Sequence, residues 1–191
     1  MLVLPFLVSA LGNRMRFIHV VRDPKEVVSG RNQKIYHDNC PRHYGFECSD
    51  QMRRRFQFWA DANREQYEFA KKHLTSDSYL VVRTEDFVAG REACYRRLAR
   101  FVHVDEKLSA ESLERAITTT TSHAGSYFGT PLTAELKQRI FREQRLARQA
   151  CKPGTSLSRY DLYETIRLFG YSVSDFSLPV PCEELPGAQS T

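Results

Sequence analysis

The sequence predicts an α/β domain in which a parallel sheet lies between two layers of helices. Residues 17–21, FIHVV, are mostly β-branched or aromatic, and such a short apolar run is typical of an inner parallel strand covered on both faces. A second strand is predicted at residues 79–83, YLVVR, after a long segment with helical spacing of its apolar residues. Strands that alternate with helices in this way indicate a parallel sheet.

The composition agrees with one globular domain. The chain is 41% hydrophobic and 27% charged, and its 191 residues are enough for one sizeable core. The end of the chain is rich in Ser, Pro and acidic residues and lacks periodicity. We therefore expect a domain over residues 1–172 and a loosely ordered tail without a site over residues 173–191.

The first apolar run is predicted to be a helix that packs ahead of the strand. It is about eleven residues long, shorter than the roughly 20 residues that span a bilayer, and no basic residues precede it. The alternative is a signal peptide, because Val8, Ser9 and Ala10 resemble a cleavage site. We expect no transmembrane segment, and the sequence indicates no compartment.

The residues that follow the first strand predict an anion-binding corner. Asp23 suits an N-cap, Pro24 the first helical position, and Glu26 the position where a second carboxylate satisfies a backbone donor. Arg22 lies just beyond the carboxyl end of the strand, where open α/β sheets bind ligands, and its guanidinium suits phosphate or sulfate. The helix start adds a favourable field for an anion. The alternative is a solvated or salt-bridged arginine.

The whole string from residue 17 to residue 33, FIHVVRDPKEVVSGRNQ, resembles the 3′-phosphate-binding segment of the sulfotransferase family. The resemblance implies that Arg22 holds the 3′-phosphate of 3′-phosphoadenosine 5′-phosphosulfate, the sulfuryl donor. The family also uses a serine on the following helix. That position is Gly30 here, and Ser29 comes one residue early, about 100° around the helix. Ser29 is a candidate second ligand, and an ordinary helix residue is its alternative.

A downstream block is also similar to the family. YLVVRTEDF at residues 79–87 corresponds to a strand that ends in Arg-Tyr-Glu-Asp-Leu, with Thr84 and Phe87 as departures. We interpret this block as structural, with Glu85 and Asp86 ahead of the next helix. The block supports the resemblance to the family and is not expected to contribute to the site.

Two further segments extend the resemblance. The segment from Ser122 to Thr133 is similar to a loop that folds over the nucleotide, in which Gly129 would allow a close backbone approach and Tyr127 or Phe128 would stack on adenine. A surface loop is the alternative. The last predicted helix closes at Gly170, similar to the leucine-glycine-tyrosine ending of the family.

The resemblance covers about residues 3–172 and implies a three-layer, P-loop-like sulfotransferase fold truncated at its N-terminus. The family's lysine-containing loop and its catalytic His or Glu lie upstream of the matched segment, and no Gly-rich loop that ends in Lys followed by Ser or Thr occurs in the 191 residues. We assign no catalytic residue, and we expect His19 to be packed in the strand. The implied reaction is sulfuryl transfer to a hydroxyl or amine acceptor. The alternative is an inactive relative that binds the nucleotide or a sulfated ligand.

The net charge of +5 suggests an anionic partner. The run Arg53, Arg54, Arg55 is interpreted as a solvated helix start, because its members point to different faces of a helix. A basic nucleic-acid-binding domain is a less favoured alternative. An acidic or sulfated acceptor, such as a glycan, would suit the same basic surface.

The five cysteines are an odd number without repeating spacing, so no disulfide framework is indicated. Cys94 is expected in the core. The group His37, Cys40, His43 and Cys48 matches no common zinc module, and we predict no metal site. A Cys40–Cys48 disulfide is the alternative for an oxidising compartment.

Overall fold

The computed structural model describes residues 3–29, 52–104, 109–122, 133–150 and 159–173, together with Cys182 and Leu185. The elements in this part follow in the order α1 (Val3–Leu11), a 3-10 turn (Gly12–Arg14), β1 (Phe17–Val21), α2 (Pro24–Ser29), α3 (Met52–His73), β2 (Tyr79–Arg83), α4 (Thr84–Val88), α5 (Glu92–Phe101), α6 (Ala110–Ser122), α7 (Ala134–Ala150) and α8 (Leu162–Leu168). None of these helices is both long and apolar enough to cross a membrane.

The sheet of the described residues consists of β1 and β2, which pair in parallel with Phe17 opposite Tyr79 and Val21 opposite Arg83. The predicted α/β class is confirmed, in a structure that is mostly helical. β2 is buried along its whole length. The expectation that β1 is covered on both faces is wrong, because Val20 is 60% exposed. Alternate side chains point to opposite faces, and only the face with His19 and Val21 is buried.

The core lies between the sheet and helices α3, α7 and α8. α3 contributes Phe56, Trp59 and Ala60, whose spacing of three and four residues forms the predicted apolar stripe. The main cluster of buried residues also includes Val21, Val28, Val81, Ile140, Leu162, Ile166, Phe169 and Tyr171. α3 therefore holds β1 and α8 in one core.

The end of β2 is tied to the end of α8 by a buried arginine. Arg83 forms two bonds to the carboxylate of Asp86, at 2.7 and 3.0 Å, and its Nη1 donates to the Gly170 carbonyl oxygen at 2.7 Å. Gly170 has a φ of 70°, and the N–H of Tyr171 returns to the Ile166 carbonyl at 3.1 Å. The predicted glycine closure of α8 is confirmed.

A disulfide joins Cys94 on α5 to Cys182, with the two Cα atoms 6.0 Å apart. Cys94 is buried as expected, but the sequence did not indicate this pairing, because the partners are 88 residues apart in the chain. Cys182 and Leu185 belong to the segment expected to be a loose tail, and both are buried. Residues 37–48, which carry the zinc hypothesis and the alternative disulfide, lie outside the described residues.

Candidate functional site

The corner between β1 and α2 places Arg22 at the carboxyl edge of the sheet, as predicted. Helix α2 begins at Pro24, and Oδ1 of Asp23 accepts the backbone N–H of Lys25 at 2.7 Å. Asp23 is therefore the N-cap that the sequence predicted. Because the cap and the proline fix the start of α2, Arg22 occupies the turn between strand and helix.

Glu85 completes the cap instead of Glu26. The backbone N–H of Asp23 donates to Oε1 of Glu85 at 2.7 Å. Glu26, the residue predicted for this role, lies beside Arg22, with 3.6 Å between Nη2 and Oε2. The prediction was wrong because the parallel pairing of β1 and β2 brings their carboxyl ends together. Glu85 follows β2 and thereby reaches the start of the helix that follows β1.

The start of α2 is occupied by the protein's own acceptors. Oδ1 of Asp23 and Oε1 of Glu85 take two backbone donors, and the N–H groups of Glu26 and Val27 bond to the Asp23 carbonyl oxygen at 3.1 and 3.0 Å. The field at the start of α2, which was expected to favour an external anion, therefore acts on these carboxylates. Among the described residues of this corner, the partly exposed cation is the guanidinium of Arg22.

Arg22 combines a fixed backbone with a partly exposed side chain. Trp59 donates its indole N–H to the Arg22 carbonyl oxygen at 3.0 Å, which ties the turn to α3. The Arg22 side chain is 32% exposed and pairs with Glu26. Ion pairs of this kind contribute about 0–1 kcal/mol. A phosphate dianion, which bonds a guanidinium through two oxygens, can replace the carboxylate.

Lys25 is fully buried in the same corner. Its Nζ donates to the Ser172 carbonyl oxygen at 2.9 Å and lies 3.5 Å from Oδ2 of Asp23. This contact fixes the first turn of α2 to the chain beyond α8. Lys25 could not be identified from the sequence, because a lysine near a helix start has no pattern that distinguishes a buried position from a solvated one.

The buried carboxyl groups of the corner bind protons more tightly than usual. Burial raises the pKa of Asp23, against the opposing effect of the Lys25 cation, and burial also raises the pKa of Glu85. Oε2 of Glu85 accepts the hydroxyl of Tyr171 at 2.9 Å. Burial raises the pKa of that phenol as well, so that Tyr171 stays a donor. Glu85 thus has the structural role that the sequence suggested, now with defined partners.

Ser29 uses its hydroxyl inside its own helix. Its Oγ donates to the Lys25 carbonyl at 2.7 Å and lies 3.3 Å from the Glu26 carbonyl. A hydroxyl must donate to a phosphate oxygen to bind it, so Ser29 would first have to leave this bond. Its role as a phosphate ligand stays a prediction. Tyr127 and Gly129 lie outside the described residues, and their roles stay predictions too.

His19 lies behind the corner as a buried, neutral side chain. Its Nδ1 is 2.9 Å from the Tyr79 hydroxyl, and its Nε2 is 3.1 Å from Oδ1 of Asn63. Because the amide oxygen can only accept, Nε2 donates and Nδ1 accepts from Tyr79. Burial lowers the pKa of His19 to about 4. The interpretation of His19 as a packed strand residue is confirmed.

The described residues contain one group with metal-ligand atoms close together. The carboxylate of Asp86 and the sulfurs of Cys94 and Cys182 lie within 4.8 Å of one another. The two sulfurs are joined in the disulfide, and the carboxylate is bonded by Arg83. All three groups already have bonding partners, and we interpret the cluster as part of the contact that holds Cys182 against α5.

The arginine run at the start of α3 has mixed surroundings. Arg53 is exposed and pairs with Glu143 at 3.3 Å. Arg55 is buried, and its Nη1 donates to the Val28 carbonyl oxygen at 2.9 Å. The interpretation of the run as a solvated helix start is therefore wrong for Arg55, which links α3 to α2.

Comparison with known proteins gave no match. No family model matches the chain, and neither a curated protein nor a solved structure matches it significantly. A family assignment therefore depends on the motifs of this sequence together with the geometry of the Arg22 corner.

Proposed function

We propose that the chain is a sulfotransferase-type domain that binds 3′-phosphoadenosine 5′-phosphosulfate through Arg22, within a three-layer, P-loop-like α/β fold. The observation that carries the proposal is the placement of Arg22 beyond a parallel strand at the carboxyl edge of the sheet. Its main chain is fixed by Trp59 and by the capped Asp23, while its side chain is partly exposed. A guanidinium in this position suits two oxygens of the 3′-phosphate.

The pair with Glu26 supports an exchange of anions at Arg22. Burial raises the pKa of Glu26, and the Arg22 cation opposes that rise. The separation of 3.6 Å between Nη2 of Arg22 and Oε2 of Glu26 is longer than the about 2.7–2.9 Å of a strong charge-assisted hydrogen bond. In this proposal the incoming 3′-phosphate takes the place of the Glu26 carboxylate at Arg22.

In this proposal Arg22 acts at a distance from the reacting sulfur. Binding of the remote 3′-phosphate positions the donor, and the sulfuryl group passes in line to an acceptor hydroxyl or amine. The bond between sulfur and the bridging oxygen breaks, the acceptor forms its bond to sulfur and loses a proton, and adenosine 3′,5′-bisphosphate leaves. No described residue is assigned as the base.

A second candidate is a relative that binds the nucleotide or a sulfated ligand without transferring a group. It is supported by Gly30 at the position of the family's serine and by the Ser29 hydroxyl, which is bonded within α2. A nucleic-acid-binding domain is less well supported, because Arg55 is buried and Arg53 is paired with Glu143.

Calorimetric titration of the full chain tests the ligand class. We expect adenosine 3′,5′-bisphosphate to bind at least roughly 30-fold tighter than adenosine 5′-monophosphate, because only the former carries the 3′-phosphate. Equal affinities would contradict both sulfotransferase-type candidates. Binding of duplex DNA or RNA with a steep salt dependence would support the nucleic-acid-binding candidate. Transfer from donor with a labelled sulfuryl group to hydroxylated and sulfated glycans separates an active enzyme from an inactive relative.

A further inference from the structure

The chain around Cys182 is attached to α5 by hydrogen bonds as well as by the disulfide. Cys94 and Arg97 are three residues apart and therefore lie on the same side of α5. The Nη1 group of Arg97 donates to the Cys182 carbonyl oxygen, and Nη2 donates to the Leu185 carbonyl oxygen at 3.1 Å. Nη1 also lies 3.2 Å from the Val81 carbonyl oxygen of β2. One side chain thus joins β2, α5 and the segment that contains the second cysteine.

These bonds are made in a buried environment. Cys94, Cys182 and Leu185 form a cluster of buried side chains, with Phe87 packed against it, and Arg97 is 8% exposed. A buried guanidinium is costly without acceptors, and its charge-assisted bonds are stronger than those between neutral groups. Arg97 therefore fixes the main chain at Cys182 itself and at Leu185, three residues later.

We propose that Arg97 selects the cysteine pair, by docking the Cys182 segment on α5 before oxidation. The docked segment holds the Cys182 thiol at a high effective concentration beside Cys94. The two thiols then lose two protons and two electrons to a disulfide oxidant, such as oxidised glutathione, which is reduced to two thiols. Arg97 is a positioning residue in this step, and the chain needs a thiol oxidant to complete its fold.

Oxidative refolding of the full chain tests this proposal. Reduced, unfolded protein is refolded in a glutathione redox buffer, quenched with an alkylating reagent at intervals, and mapped by proteolysis and mass spectrometry. In the wild type we expect the Cys94–Cys182 peptide pair to become the major product. In Arg97→Ala, which loses both hydrogen bonds to the Cys182 segment, we expect this pair to form at least roughly fivefold less, with Cys182 found in mixed or alternative disulfides.

Two further variants make the result specific. Arg96→Ala is the matched control, because Arg96 directly precedes Arg97 in α5 and is an exposed partner of Glu92, and it should give the wild-type yield. Arg97→Lys keeps the charge without the planar fork, should give an intermediate yield, and decides the case if Arg97→Ala does not refold. Wild-type yield and rate of pairing in Arg97→Lys and Arg97→Ala would overturn the proposal, as would a wild-type chain that does not form the pair.

Discussion

The carboxylate of Glu85 accepts the backbone N–H of Asp23 at 2.7 Å, so a residue that follows β2 caps the helix that follows β1. The second oxygen of the same carboxylate accepts the Tyr171 hydroxyl at 2.9 Å. Lys25 donates to the carbonyl oxygen of Ser172, the residue after Tyr171, and so connects α2 to the same segment. The turn that presents Arg22 is therefore supported by two segments that are distant in sequence, one after β2 and one after α8.

We predict that Glu85→Ala lowers the free energy of unfolding by about 2–3 kcal/mol, because it leaves two polar donors without their acceptor. Urea unfolding followed by circular dichroism measures this change. Glu85→Gln keeps one acceptor oxygen and should cost less. The matched control is Glu92→Ala, which removes an exposed ion pair with Arg96 and should change stability by less than about 1 kcal/mol. Equal effects of the two alanine variants would contradict the assignment of Glu85 as a cap.

A second prediction concerns the buried pair of Arg83 and Asp86. Arg83→Met leaves the Asp86 carboxylate buried without its main partner and should lower the free energy of unfolding by about 3–5 kcal/mol. Arg115→Ala, which removes an exposed pair with Glu111 of similar length, should cost less than about 1 kcal/mol. Urea titration of both variants gives the comparison, and a small effect of Arg83→Met would show that this pair is not part of the core.

A third prediction concerns pH. The pKa of His19 falls from 6.5 to about 4 on folding, so its contribution to stability is fully present above pH 6.5 and is lost progressively as the pH falls from 6.5 to about 4. We expect the titration of His19 to lower the free energy of unfolding by about 2 kcal/mol between pH 7.5 and pH 5. Asp23 and Glu85, whose pKa values are raised by burial, act in the opposite direction in acid.

Comparison with a variant isolates the histidine from those carboxyl groups. His19→Gln keeps a neutral polar side chain and should be less stable than the wild type at pH 7.5, with a smaller loss of stability on acidification. Urea unfolding at half-unit pH steps gives both curves. Parallel curves for the two proteins would show that His19 does not titrate between folded and unfolded states as proposed.

The sequence predicted the parts of this fold that depend on local pattern. The β1 run, the Asp23 cap, the apolar stripe of α3 and the closure at Gly170 are each defined by residues a few positions apart. The chemistry of the corner was predicted only in part, because Glu85 and Lys25 act through contacts with residues far along the chain. Periodicity and capping rules carry no information about such partners.

The cysteines show the same limit more sharply. Five cysteines at irregular spacing allow many pairings, and nothing in their sequence neighbourhood favours Cys94 with Cys182. The pairing depends on where Arg97 directs the main chain, which is a tertiary property. The predicted burial of Cys94 was confirmed because burial follows from its helical neighbours.

A fourth prediction follows from the length of chain that this disulfide closes. For partners 88 residues apart, the chain-entropy account gives a stabilisation of about 4–5 kcal/mol. We expect the double variant Cys94→Ala, Cys182→Ala to lose most of this amount in guanidinium unfolding. A reducing agent should destabilise the wild type by a similar amount and have no further effect on the double variant. A double variant with wild-type stability would contradict this prediction and show that the disulfide holds the Cys182 segment without stabilising the fold.

The central claim is that Arg22 binds the 3′-phosphate of the nucleotide. The most direct test measures, by calorimetry, the affinities of wild type, Arg22→Ala and the exposed control Arg115→Ala for adenosine 3′,5′-bisphosphate and adenosine 5′-monophosphate. We predict that Arg22→Ala weakens bisphosphate binding roughly 30-fold, or about 2 kcal/mol, and leaves the monophosphate within about twofold. Arg115→Ala should match the wild type. Equal losses for both ligands, or no loss for the bisphosphate, would contradict the claim.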